Sequence, residues 1–279
     1  MKKYEKIIFL GCSFTYSQDC LATLELKDTN MKAIGYPEGS SFKDYWNVDA
    51  TYPAMVGRIL DMPIENLGLM GNANDAMAHQ FYNWTHANLD KVDFSKVLFV
   101  VGATSAFRFS TARLADYRSY VALSATTDLF PILLAQNTDN AIDKQRTDSQ
   151  IPDFMFDNLR EYRMHLADEP IDYHAMRDAF TLMGMKEFAR NNGIDMCMLD
   201  ILYRQNHLRR NYSEWYRPEL LSYFDNKTAL HDLVSQEGVR QRNSRGGFIS
   251  AYTQHYTRDG YEYLAKLVSE LLIERYDLK

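Results

Sequence analysis

The chain carries a serine and a histidine in contexts that suit acyl transfer. Ser13 lies in the segment LGCSFT, where an apolar run ends abruptly at Gly11. A hydroxyl nucleophile needs a base within hydrogen-bond reach to take its proton. His255, just before a predicted helix near the C-terminus, is the candidate base because imidazole titrates near neutral pH. Cys12 is a rival nucleophile, although a small buried residue packed beneath the loop also fits its position.

Acyl transfer also needs hydrogen-bond donors that already point at the developing oxyanion. The backbone N–H of Ser13 is one candidate donor. Gly71 offers a second N–H, because glycine lets a backbone approach a substrate closely. Side-chain donors can come from Thr104, Asn72 or Asn74.

Most of these residues follow short apolar runs that predict buried strands. The predicted strands are 6–10, 63–67, 96–101 and 194–202, and the predicted helices between and after them are 51–60, 74–89, 171–192 and 257–276. Continuous apolar strands that alternate with helices predict an α/β fold with a parallel sheet covered on both faces. Ligands bind beyond the carboxyl ends of the strands in such a sheet, and the candidate residues fall there.

Two long stretches interrupt the alternation of strands and helices, at about 105–170 and 203–250. Loops of such length are uncommon without structure of their own, so we expect both to contain helices and to cap the functional face. Linker-like runs rich in Gly, Ser or Pro are absent from the sequence. We therefore expect residues 1–279 to form one domain with these two insertions.

The composition excludes several classes of protein. Apolar residues make up 46% and charged residues 24%, as in ordinary globular proteins, and the net charge of −6 argues against general nucleic-acid binding. The three cysteines predict no disulfide framework and favour the cytoplasm, and no apolar run is long enough for a membrane span. The histidines lack zinc-site spacing, so we expect neither a metal nor a cofactor. The oligomeric state is not predicted.

Four segments together resemble the SGNH (GDSL-type) hydrolase superfamily. They are LGCSFT, NLGLMGNAN, VGATSAFR and HYTRDGYEYLA, about 40 residues spread along the chain. The resemblance implies a flavodoxin-like, three-layer α/β/α fold and hydrolysis of an ester, thioester or amide through a seryl acyl-enzyme. It makes Ser13 the nucleophile, His255 the base and Gly71 an oxyanion donor. It also implies a glycine five residues after the histidine, which is Gly260 here.

The chain departs from the family pattern at two positions. Thr104 stands where the family has the oxyanion-hole asparagine, and threonine reaches less far. Tyr252 stands where the family has an aspartate that orients the histidine. The base then acts in a dyad, or another acid orients it; Asp200, at the end of a predicted strand, and Asp259 are the candidates.

The insertions contain many Tyr and Arg side chains and Trp215, which favours a polar acylated substrate, such as an acetylated sugar, over a long-chain lipid. Candidate substrate-binding residues are Asn72, Asn74, Arg108 and Tyr252; Arg108 can instead form a structural ion pair. The leading hypothesis is thus an esterase or acylhydrolase, with carbohydrate deacetylation as one form. The alternative is a catalytically weak or inactive protein on the same scaffold that binds a glycan, a nucleotide or a protein partner. A flavodoxin-like nucleotide binder ranks last, because the usual glycine-rich phosphate loops are missing.

Overall fold

The computed structural model of the chain describes residues 3–16, 51–68, 72–104, 171–202, 221–245, 248 and 255–278. Four strands form one parallel sheet in this part of the chain: β1 (Lys6–Gly11), β2 (Ile64–Asn66), β3 (Val97–Ala103) and β4 (Asp195–Asp200). They lie in the order β2-β1-β3-β4. Gly11 is opposite Gly102, and Ala103 is opposite Asp200, so the carboxyl ends of three neighbouring strands are level.

Helices cover both faces of the sheet. The helices are α1 (Ser13–Tyr16), α2 (Tyr52–Leu60), α3 (Asn74–Ala87), α4 (Ile171–Asn191), α5 (Leu230–Arg245) and α6 (Arg258–Tyr276). Helices α2, α5 and α6 contribute to the core on one face, and α3 and α4 contribute to the core on the other. The three layers and the strand order 2-1-3-4 are those of a flavodoxin-like fold. The predicted fold class is therefore confirmed.

Local chemistry explains where the main helices begin and end. Thr51 caps α2 by accepting a hydrogen bond from the Ala54 N–H, and Pro53 occupies the first turn. Helix α4 stops before Gly193, whose φ of 67° is in the left-handed region that favours glycine. Thr257 caps α6, which begins three residues after His255.

Every predicted strand and helix is present, with boundaries that differ by a few residues. The sequence did not predict α1 or the 3-10 turn Phe94–Lys96, because both are too short to show a periodic pattern. Helix α5 confirms that the second long stretch contains a helix, and its residues Leu230 and Val234 are part of a core that lines the sheet. Residues 105–170 and 203–220 lie outside the described residues, so the cap stays a prediction.

Within the described part of the chain, none of the helices is both long enough and apolar enough to cross a bilayer.

Candidate active site

Ser13 lies at the carboxyl end of the central strand β1, as the first residue of α1. A tight turn after the strand brings it there, with the Thr15 N–H donating to the Cys12 carbonyl at 2.9 Å. The turn needs glycine at position 11, because a Cβ there would lie 1.9 Å from Thr15 Oγ1. The sequence LGCSFT therefore folds α1 directly back over the end of the strand.

Neighbouring elements hold this turn in place. The Thr15 carbonyl accepts a hydrogen bond from Asn66 Nδ2 at 3.0 Å, and Asn66 Oδ1 accepts one from the Gly68 N–H. The Thr15 hydroxyl contacts the Tyr52 hydroxyl at 3.3 Å. Burial raises the pKa of Tyr52 well above its usual range, so this phenol stays protonated. The serine turn is thus tied to both β2 and α2.

His255 contacts Ser13 directly. Its Nε2 lies 2.8 Å from Ser13 Oγ, across 242 residues of sequence. The serine is buried, whereas the histidine is half-buried. This distance is what proton transfer between a hydroxyl and an imidazole requires. The structure thus brings together the predicted nucleophile and the predicted base.

Glycine at position 260 explains the spacing between the histidine and the last helix. A Cβ at Gly260 would lie 2.4 Å from the Phe248 carbonyl oxygen, and one at Gly238 would lie 2.7 Å from the Phe248 nitrogen. That carbonyl accepts a hydrogen bond from the Thr257 N–H at 2.8 Å. The backbone of Phe248 is therefore held between α5 and the start of α6, three residues after His255.

Aromatic rings pack against the imidazole of His255 and against each other. The Phe14 ring centroid lies 4.9 Å from that of His255 and 4.7 Å from that of Tyr256. The Tyr256 hydroxyl is 3.1 Å from Nδ1 of His231, which is buried. The Phe14 ring therefore connects the imidazole of His255 with the buried core.

Thr104 immediately follows β3, next to the strand that carries Ser13. It is fully buried, and its Oγ1 has no hydrogen-bond partner among the described residues. Both of its backbone groups are held by one side chain: Asn74 Oδ1 accepts from the Thr104 N–H at 2.9 Å, and Asn74 Nδ2 donates to the Thr104 carbonyl at 3.1 Å. The hydroxyl is thus the donor that position 104 can offer to a substrate.

Asn74 is held in turn by a buried carboxylate. Its Nδ2 also donates to Asp178 Oδ2 at 2.7 Å, while Arg177 binds the other oxygen, with Nη2 at 3.0 Å. Burial raises the pKa of the Asp178 carboxyl to about 7, although Arg177 and Asn74 act to lower it. Asp178 is fully buried in the core between α4 and the sheet.

Asn72 ties the second motif to the first. Its Nδ2 donates to the Gly11 carbonyl at 3.1 Å and to Gln80 Oε1 at 2.8 Å, whereas its Oδ1 has no partner among the described residues. The amide hydrogens of Asn72 and Asn74 are thus engaged inside the protein. Their predicted contact with substrate stays untested, but the structure gives both a clear role in fixing backbone.

Asp200 ends β4 and is buried. Side chains alternate along a strand, and Met196 and Met198 of β4 belong to the core beneath α3 and α4. Phe14, whose ring contacts His255, and Tyr256 belong to the core on the opposite face. This alternation disfavours Asp200 as the acid that orients His255. Asp259 lies in the first turn of α6, where a carboxylate also stabilises the helix dipole.

Three predicted site residues, Gly71, Arg108 and Tyr252, lie outside the described residues. The sequence prediction missed the pair formed by Arg177 and Asp178. A signal was present, because Asp178 occupies a core position of α4, in step with Leu182, Met185 and Ala189. A carboxylate at such a position needs a buried partner.

No group of three or more His, Cys, Asp or Glu side chains that could hold a metal ion occurs within the described ranges.

No family model matches the chain, and no curated protein does. Among the solved structures that are similar to it are two that are described as members of the lipolytic G-D-S-L family. One, from Desulfitobacterium hafniense DCB-2, is 13% identical with a TM-score of 0.47, over 96% of this chain and 99% of that one. The other, from Veillonella parvula DSM 2008, is 12% identical with a TM-score of 0.45, over 98% of both. The likeness is remote, and the function is inferred below from the residues of this chain.

Proposed function

We propose that the protein is a serine hydrolase that cleaves a small ester through a seryl acyl-enzyme. The observation that carries the proposal is the 2.8 Å contact between His255 Nε2 and Ser13 Oγ at the carboxyl end of a parallel sheet. A serine after a strand commonly serves as a turn or cap residue. A buried serine whose hydroxyl meets an imidazole from the far end of the sequence has the geometry of an activated nucleophile.

The proposed reaction uses these two side chains together with the three candidate oxyanion donors. His255 takes the proton of the Ser13 hydroxyl as Oγ attacks the substrate carbonyl carbon. The carbonyl oxygen becomes an oxyanion, to which the Ser13 N–H, the Gly71 N–H and the Thr104 hydroxyl donate. His255 then gives its proton to the leaving oxygen, and a water molecule repeats the sequence to release the acid and restore Ser13. The Phe14 ring, within about 6 Å of the imidazole, favours the transient imidazolium.

Ser13 and His255 are the only two side chains that the proposed proton transfer requires. Tyr252 stands where the family that the sequence resembles has aspartate, and the alternation of side chains along β4 disfavours Asp200. A dyad therefore fits the chain better than a triad completed by Asp200. Asp259 remains the second candidate for the acid.

The proposed substrate is a small or glycan ester with a short acyl group. The insertions contain many Tyr and Arg side chains and Trp215, and such side chains bind polar and planar groups. Deacetylation of a carbohydrate is the form that this composition favours. A long acyl chain would require an apolar groove, which that composition does not favour.

Ester hydrolysis by purified protein tests the proposal. We expect the protein to cleave p-nitrophenyl acetate and acetylated sugars faster than p-nitrophenyl palmitate. We expect the Ser13→Ala and His255→Ala variants each to lower kcat by at least about 10³-fold. The matched control is Cys12→Ala, which removes the neighbouring thiol and should retain most of the activity.

Two outcomes would contradict the proposal. Loss of activity in Cys12→Ala but not in Ser13→Ala would show that the Cys12 thiol is the nucleophile. Absence of Ser13-dependent hydrolysis on every ester, in a correctly folded protein, would favour the binding protein instead. The same panel of sugars would then be tested for binding by calorimetry.

A further inference from the structure

The position of the Thr104 hydroxyl is set by its backbone, and one side chain holds that backbone. Asn74 binds both the N–H and the carbonyl of Thr104, at 2.9 and 3.1 Å. The two hydrogen bonds fix the distance between the Asn74 side chain and the Thr104 backbone. They also fix the orientation of the peptide groups on both sides of Thr104. Since β3 ends at Ala103, Asn74 replaces the strand partner that Thr104 would otherwise need.

The Asn74 amide is itself oriented by Asp178. Asp178 Oδ2 accepts a hydrogen bond from the amide NH₂ of Asn74 at 2.7 Å, which turns this NH₂ toward α4. The amide oxygen is then left to face the Thr104 N–H. Arg177 occupies Asp178 Oδ1, so the carboxylate is also held in one orientation. All four groups form one continuous chain of hydrogen bonds from α4 to the end of β3.

We propose that Asp178 is a positioning residue that holds Thr104 as an oxyanion donor through the side chain of Asn74. This inference rests on the proposed function. It explains how a threonine can act at a position where its reach is short. A hydroxyl that is fully buried, and that has no partner among the described residues, is placed by the backbone rather than by its own hydrogen bonds.

A purely structural role for Asp178 would have a different signature. Any weakening of the fold at Asp178 would lower activity by the same factor whether or not the Thr104 hydroxyl is present. A positioning role acts only through that hydroxyl. The effect of Asp178 on kcat should therefore disappear when the hydroxyl is absent.

A double-mutant cycle on p-nitrophenyl acetate hydrolysis tests the proposal. We expect Thr104→Val to lower kcat by about 10²-fold, and Thr104→Ser to restore most of it. In the wild-type background, Asp178→Asn should lower kcat by about 10- to 100-fold with KM changed less than about twofold. In the Thr104→Val background, the same change should lower kcat by less than about threefold.

A control separates lost positioning from lost stability. Thr85 is a buried residue of the same helix as Asn74, and its hydroxyl donates to the Phe81 carbonyl at 2.7 Å. Thr85→Val should lower the melting temperature without lowering kcat. Should Asp178→Asn fail to fold, Asn74→Ala removes both bonds to Thr104 and enters the same cycle.

The outcomes separate the two proposals. Equal fold-losses from Asp178→Asn in both backgrounds, with Ser13-dependent activity intact, would overturn the role of Asp178 alone. Absence of Ser13-dependent hydrolysis in the wild type would overturn the proposed function, and this role with it. A kcat loss that vanishes in the Thr104→Val background would support both.

Discussion

At the scale of single residues, Gly11 decides whether the nucleophile can be presented at all. The chain reverses direction within two residues of the end of β1, and Thr15 then lies directly over position 11. An added Cβ would meet Thr15 Oγ1 at 1.9 Å and Thr15 Cβ at 2.5 Å. Thr15 Oγ1 can turn away by rotation of its side chain, but Thr15 Cβ is fixed to the backbone, and the Thr15 carbonyl is held by Asn66. The turn therefore cannot relax cheaply around a larger residue.

Gly11→Ala should consequently lower the free energy of unfolding by about 1–3 kcal/mol and remove most of the hydrolytic activity. Chemical denaturation and ester hydrolysis measure the two effects. The Gly11→Ala/Thr15→Gly double variant, which removes the opposing Cβ, should recover part of the lost stability. A Gly11→Ala protein with unchanged stability and activity would contradict the close approach of Thr15 to position 11.

At the scale of secondary-structure elements, the start of α6 places the base. The Thr257 cap, the Phe248 carbonyl and Gly260 form one unit, in which the helix start and the preceding segment are fixed together. His255 lies two residues before the cap. The glycine five residues after the histidine is thus a packing requirement of the segment that carries the base.

Gly260→Ala should therefore lower activity more than a typical helix substitution. The Phe248 backbone oxygen, 2.4 Å from the added Cβ, must move, so we expect a loss of about 1–3 kcal/mol in stability and at least a tenfold loss in kcat. Gly184→Ala is the matched control. Nothing lies within 4 Å of a Cβ there, and alanine favours the helix by about 0.5–1 kcal/mol. Equal effects of the two substitutions would count against the close contact of Gly260 with the Phe248 backbone.

The sequence predicts these elements well because their signals are local. The apolar runs that become β1 and β3 are visible in a few neighbouring residues. The motifs around Ser13 and His255 also predict their contact. By contrast, the network of Asn74, Asp178 and Arg177 joins residues more than 100 positions apart, and no local pattern reports such a pairing. Asp178 was detectable only as a charge at a core position of α4.

At the scale of the whole molecule, Asp178 couples stability to pH. It is buried against Asn74, with Arg177 on its own helix and Asp75 on α3 as the charged neighbours that act on it. Burial raises its pKa to about 7 from 3.8. Between these two values the folded chain keeps a proton that the unfolded chain has released. The contribution of this group to stability therefore falls as the pH rises from about 4 to about 7 and is constant above that range.

Asp178→Asn should remove this contribution. We expect the difference in unfolding free energy, variant minus wild type, to rise between about pH 4 and pH 7, by up to about 1.4 kcal/mol per pH unit. Urea denaturation at a series of pH values measures it. Thr85→Val changes no titratable group, so its free energy of unfolding should vary with pH in the same way as that of the wild type. A difference that is flat across this range for Asp178→Asn would contradict the raised pKa.

Covalent labelling can show whether Ser13 is an activated nucleophile. A fluorophosphonate probe, followed by mass mapping of the labelled peptide, should place the adduct on Ser13 of the wild type. Labelling should be absent in Ser13→Ala, strongly reduced in His255→Ala and retained in Cys12→Ala. A correctly folded wild-type protein that takes up no probe, or that carries it on another residue, would contradict this role of Ser13.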